Sequence, residues 1–97
     1  MTLRFTPRAL AEAKRKKSWW LENRPAAPDL FEDELTAVLD ASLATPTLGR
    51  QYPARFAVKV RRVLMPRTCN HVYFAVNDSE VVVLSVWGAQ RSSGPQL

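Results

Sequence analysis

The apolar residues of this chain change their spacing once, and that change limits what it can fold into. From Ala9 to Leu43 they recur every three or four residues; from Phe56 onward they alternate every second residue. The first period is that of helices packed on one side, the second that of half-buried strands. Two helices followed by a run of strands make an α+β fold, with the helices on one face of a sheet.

Proline marks the borders. Leu3 to Phe5 can open as a short strand. Thr6-Pro7 then reads as a helix start, a hydroxyl N-cap before a proline whose missing N–H costs nothing at the first helical position. Ala9, Leu10, Ala13, Lys17, Trp20 and Leu21 follow at helical spacing. This helix ends near Asn23, since Arg24 precedes Pro25 and is steered away from helical geometry. A second helix is expected from Ala27 or Pro28 to Ala44, with Asp29, Glu32 and Asp33 suited to its positive end. Its stripe is Leu30, Phe31, Leu35, Val38 and Leu39 with Ser42 or Leu43, and Thr45-Pro46 closes it. The short connection predicts a helical hairpin.

Pro46 to Pro53 reads as a loop bent at Gly49. Phe56, Val58 and Val60 then alternate with Ala57, Lys59 and Arg61, as in a half-buried strand. The phase slips at Arg61-Arg62, so either the strand bulges there or one arginine lies on the core side near the sheet edge. Pro66-Arg67-Thr68 makes a turn. Cys69 reads as a small residue of the next strand, in which Val72, Phe74 and Val76 alternate with His71, Tyr73 and Ala75. After a turn at Asn77-Asp78-Ser79, Val81 to Trp87 is nearly all apolar, as a central strand covered on both faces should be. Gly88 begins a polar tail.

The expected order is β-α-α-β-β-β in one domain spanning residues 1–97, with a mostly antiparallel sheet. If Phe56, Val58, Val60, Val72, Phe74 and Val76 face the helices, the other face displays Lys59, Arg61, His71, Tyr73, Ser85 and Trp87. Trp20 and Leu21 belong to the core side of the first helix, Trp19 is turned partly outward, and Lys14-Arg15-Lys16-Lys17 is its wet side.

Charge and cysteine content narrow the function classes. The net charge is +5. Arg50, Arg55, Lys59, Arg61, Arg62 and Arg67 stand in one stretch without an acid, while the acids gather between Asp29 and Asp40. Such a surface calls for an anionic partner, either nucleic acid or an acidic protein segment. One cysteine and one histidine are too few for a structural zinc, which wants about four such ligands. The lone cysteine suits a reducing compartment. The longest apolar run is far short of the ~20 residues of a membrane helix, and no signal-peptide stretch opens the chain. A cytoplasmic protein without metal or cofactor is expected.

The order of elements, the Thr45-Pro46…Gly49 loop, the segment RRVLMPRTCNHVYFAV and the ending VVVLSVWGAQR together resemble the RelE/ParE superfamily. These are the toxins of type II toxin–antitoxin systems, often described as plasmid-stabilisation proteins. The resemblance implies a cognate antitoxin whose C-terminal segment wraps the sheet and the helical hairpin, folding as it binds. It also implies growth arrest by one of two routes. ParE-like members inhibit DNA gyrase without an established catalytic site. RelE-like members cut mRNA on the ribosome, using the 2′-OH as nucleophile with a base, an acid and cations around the phosphate.

Carried over by position, Lys59, Arg61 and Arg62 stand for the cations of the middle strands. His71 falls where the ribonucleases often place arginine, and Arg91 matches a basic residue after the last strand. A nuclease would therefore draw on Arg61, His71 and Arg91. Antitoxin or target contact is expected at Lys59, Arg61, Arg62, Arg67, His71, Tyr73, Trp87 and Arg91. The chain departs from the ribonuclease pattern at its end, where Ser92 to Leu97 supply neither tyrosine nor histidine and the usual C-terminal helix is missing. That departure favours the ParE side, with gyrase as target. A neutral His71 acting as base keeps the nuclease alternative open, and an inactive toxin-like binding module is a third reading. A general nucleic-acid-binding module fits less well, lacking a pattern of stacking aromatics or a helix-turn-helix.

Overall fold

A computed structural model describes residues 1–52, 59–91 and 93–97. Strand β1 (Thr2–Phe5) leads into helix α1 (Pro7–Asn23), and α2 (Leu30–Ala44) follows. Strands β2 (Arg50–Tyr52), β3 (Val60–Met65), β4 (Asn70–Val76) and β5 (Glu80–Gly88) complete the chain. The sheet order is β1-β5-β4-β3-β2. Only β1 and β5 pair in parallel; the other neighbours are antiparallel. This is the expected α+β arrangement.

The helix borders follow their local chemistry. Thr6 is the N-cap of α1, and its hydroxyl accepts the Ala9 N–H at 3.1 Å. Helix α2 starts at Leu30, later than expected, because Pro28 keeps Ala27 out of helical geometry and a turn closed by Leu30 N–H on the Ala27 carbonyl fills the gap. Lys17 and Glu32 join the two helices across their exposed sides at 2.9 Å. Their inner faces supply Ala9, Ala13, Phe31, Leu35 and Leu39 to a core completed by Met65, Val72, Val83 and Val86 of the sheet.

Several expectations need correction. The loop before Pro53 contains β2, a three-residue edge strand whose Arg-Gln-Tyr has no apolar alternation to announce it. Phe56, Ala57 and Val58 lie outside the described residues, and Lys59 is an exposed residue just before β3. Cys69 closes the β3–β4 turn with φ of 58°, so it does not share a strand face with His71. Leu10 and Leu21 are exposed, because α1 buries a narrow stripe centred on Ala9 and Ala13. Gly49, with φ of +83°, is the tight bend expected of it, and a Cβ there would overlap the Arg62 carbonyl.

Strand β5 carries a bulge. Tyr73 is opposite Ser85 while Phe74 is opposite Val83, so Leu84 has no partner. Directly opposed residues share a sheet face. The bulge therefore puts both Val83 and Val86 toward the helices, although three residues apart in a regular strand would point them to opposite faces.

Two carboxylates fasten helices to sheet. Strand β1 ends at Phe5, leaving the outer edge of β5 unpaired beyond Val83. There Glu12 of α1, almost wholly buried, accepts the Val86 N–H at 3.1 Å and the Ser85 hydroxyl at 2.8 Å. Glu34 of α2 accepts the N–H groups of Arg67 and Thr68 at 2.8 and 3.0 Å and the Thr68 hydroxyl at 2.7 Å, clasping the β3–β4 turn. A buried donor left without an acceptor costs about 1–3 kcal/mol. Glu12→Ala orphans two, so we expect a loss of roughly 2–6 kcal/mol in urea unfolding. Glu12→Gln, which keeps an acceptor oxygen, should lose less. An unchanged midpoint for Glu12→Ala would mean that water satisfies the edge instead.

Candidate functional site

The sheet face turned away from the helices is built in cross-strand rows. Arg50, Arg62, Tyr73 and Ser85 are in register, and Leu64, His71 and Trp87 form the next row. Arg62 thus belongs to this open face. Arg61 does not: it is opposite Phe74, whose other partner Val83 lies in the helix-covered core. Its guanidinium turns back to the chain after α2, donating to the Leu48 and Gly49 carbonyls at 3.0 and 2.7 Å. Of the two explanations for the phase slip, the edge arginine on the core side is the one found.

His71 sits half-buried between Leu64 and Trp87, with its ring 6.0 Å from that of Tyr73. Desolvation, and secondarily the charge of Arg62, push its pKa below the ordinary 6.5. The imidazole is therefore neutral at pH 7. Together with Arg50 and Arg62 it lines an open cavity of about 390 Å³, completed by Leu48, Gly49, Val63 and Leu64. A neutral imidazole beside two guanidinium groups can accept a hydrogen bond or a proton next to a bound anion.

Tyr73 and Ser85, expected on display, are wholly buried. Ser85 is covered by Glu12 from the sheet edge. Tyr73 is covered by Tyr52, which meets it edge-on at 4.7 Å between ring centroids while Arg62 lies over the Tyr52 ring. Burial pushes the Tyr73 phenol above its ordinary pKa, so it stays protonated at neutral pH.

Trp87 forms a second cluster. Arg91 stacks over its ring at 4.2 Å and Arg8 approaches at 5.6 Å. Its indole N–H donates to the Ser93 carbonyl at 3.0 Å. Lys16 lies nearby, its pKa lowered by desolvation and then by Arg91.

Of the residues singled out in the sequence, the fold brings Arg62, His71, Tyr73 and Trp87 onto one face, with Arg91 stacked on the last. Arg67 is on the β3–β4 turn, held by its backbone to Glu34. Sequence reasoning missed Arg8, Glu12 and Tyr52, and had Arg50 only as part of the basic stretch. For Glu12 a signal existed: it is an acid in phase with Ala9 and Ala13 on the buried side of α1.

The lowered pKa of His71 has a stability consequence. Below about 6.5 the unfolded chain binds a proton that the folded chain resists, so this histidine destabilises the fold as pH drops from 6.5. We expect an NMR titration of His71 with its midpoint below 6.5. In Arg62→Gln the midpoint should rise yet stay depressed, because burial is the larger cause. A midpoint at or above the ordinary value would contradict this placement.

No family profile and no curated protein sequence matches the chain. Among solved structures, it is similar to a chain described as "Chromosomal ParDE TA system from P. aeruginosa", with a TM-score of 0.63 and 16% sequence identity. The match covers 93% of this chain and 97% of that one, so the two share their fold over nearly their whole length.

Proposed function

We propose that this protein is the toxin of a type II toxin–antitoxin pair, that it acts in the cytoplasm by ParE-like inhibition of DNA gyrase, and that a cognate antitoxin neutralises it. The observation that carries the reading is the near end-to-end likeness to the ParDE chain. The open face fits a protein partner: it is basic and carries aromatic surface at Tyr52 and Trp87, the mixture that anchors protein interfaces.

Inhibition by binding is favoured over cleavage by the position of Arg61. Of the three residues a nuclease would draw on, His71 is on the open face beside Trp87, on which Arg91 stacks, whereas Arg61 belongs to the helix-covered face and is bonded to the Leu48 and Gly49 carbonyls. The mRNA-cleaving alternative keeps one observation of its own, the cavity that places neutral His71 beside Arg50 and Arg62.

The test is to induce the chain alone in a bacterial host and pulse-label DNA and protein synthesis over the first minutes. DNA synthesis should stop first, His71→Ala should remain toxic, and purified protein should inhibit supercoiling by gyrase. If protein synthesis stops first, and His71→Ala folds and binds antitoxin but is harmless, the nuclease reading replaces this one. Continued growth with both syntheses intact would remove the toxin reading altogether.

A further inference from the structure

The tail beyond β5 does not trail into solvent. It lies against the open face, and three side chains from three different elements hold it. Trp87 of β5 donates its indole N–H to the Ser93 carbonyl at 3.0 Å. Tyr52 of β2 donates its hydroxyl to the Pro95 carbonyl at 3.1 Å. Arg8 of α1 donates to the Gln96 carbonyl at 2.7 Å. Pro95 is buried. Gly94 approaches Tyr52 so closely that a Cβ would overlap the phenol oxygen and its ring carbon.

All three acceptors are main-chain carbonyls. A site that grips a segment by its backbone does not depend on that segment's side chains, and this is how sheet surfaces and edges take up extended peptides. Glycine permits the close approach, and proline pre-sets an extended backbone while offering no N–H that would need a partner. The tail is thus a ligand-like occupant, and a weakly held one: the bonds from Trp87 and Arg8 are at the surface, and of the four residues only Pro95 is buried. Segments tied down this lightly open far more readily than a packed core.

We propose that the open face is a groove for an extended acidic peptide segment of a partner protein, and that Ser93–Gln96 fills this groove in cis until the partner displaces it. The partner's chemistry follows from the rim. Arg8 bonds the tail, Arg62 lies over the Tyr52 ring and Arg91 over that of Trp87, and among the described residues only Arg8 of these has a carboxylate partner, Glu12. Acidic side chains on an incoming segment would meet the other two in charge-assisted pairs. Lifting the tail also uncovers the Tyr52 and Trp87 rings, anchors that a four-residue tail covers only in part. The groove is independent of the function proposed above, but its source of peptide rests on that reading: the neutralising antitoxin supplies the segment.

The experiment uses the full chain. Gly94→Val should lift the tail by collision with Tyr52, whose ring is pinned between Tyr73 and Arg62. The probe is a synthetic hexapeptide of the tail sequence Ser92 to Leu97, alongside the same peptide with Gln96→Glu. The reporter is the NMR signal of the Trp87 indole N–H. In the unsubstituted chain the tethered tail competes at a local concentration of about millimolar, so the peptide should shift this signal only weakly. In Gly94→Val the indole should exchange faster with solvent, and the peptide should shift it at several-fold lower concentration. The Gln96→Glu peptide should bind more tightly, an advantage that high salt removes. Tyr52→Phe in the Gly94→Val background should weaken both peptides.

Unchanged indole exchange in Gly94→Val would show that the tail does not cover the face. Faster exchange with no peptide response would show that no groove lies beneath it. No preference for the acidic peptide would overturn the partner's chemistry. None of these readouts depends on toxicity, so a chain harmless to cells that still takes up the peptide would sink the toxin reading and leave the groove standing.

Discussion

The unpaired residue Leu84 sets the geometry on which the open face depends. Strand β5 is the second strand in the sheet and the one against which β1, β4 and α1 all pack. In a regular strand Val83, Ser85 and Trp87 would share one side, and Trp87 would be driven under the helices. The bulge resets the phase between Val83 and Ser85, so the valines stay in the core and Trp87 emerges beside His71. The bulge also falls just beyond the point where β1 stops pairing. An unpaired edge and an interrupted ladder together leave polar groups exposed to an apolar interior. The buried carboxylate of Glu12 satisfies them, which is why α1 lies along this edge and brings Arg8 within reach of Trp87 and the tail.

Much of this was legible in the sequence, and what was not has a common cause. The change of apolar period separated helices from strands, and Thr6-Pro7 marked the start of α1 to the residue. These are signals written in side chains facing a core, where burial restricts the residue type. Strand β2 carries no such signal, because an edge strand of three residues needs only backbone pairing to β3. The tail contacts are silent for the same reason: three side chains hold it by carbonyl oxygens that every residue possesses. Arg61 and Arg62 show an intermediate case. The broken alternation announced a conflict, but only the pairing with β4 decides which arginine faces which way. Leu10 and Leu21 misled in the opposite sense, since they match the helical period without being covered.

The open face gathers cations without gathering their opposites. Arg4 is paired with Glu80 and Lys17 with Glu32, both at the surface, where such pairs contribute little to stability. Glu12 pairs with Arg8 while holding β5, and Glu34 holds the β3–β4 turn. Among the described residues Arg62 and Arg91, near His71 and Trp87, have no carboxylate partner and are left to rings. Stacking on an aromatic face keeps a guanidinium ordered while leaving its N–H donors accessible. Arg62 over Tyr52 and Arg91 over Trp87 are both held this way.

That arrangement bears on whether the face performs chemistry or recognition. Cleaving a phosphodiester requires a base, an acid and a cation fixed around one atom, each in its working protonation state. His71 is neutral and has a cation at hand in Arg62, while Tyr73, its neighbour on the same face, is buried with its pKa raised. Recognition asks for less. It needs ordered donors, flat aromatic surface and a charge of one sign, and it tolerates a loosely held segment that can leave when a better one arrives. The rows from Arg50 to Ser85 and from Leu64 to Trp87 supply these, and the tail held by Trp87, Tyr52 and Arg8 is small enough to be exchanged.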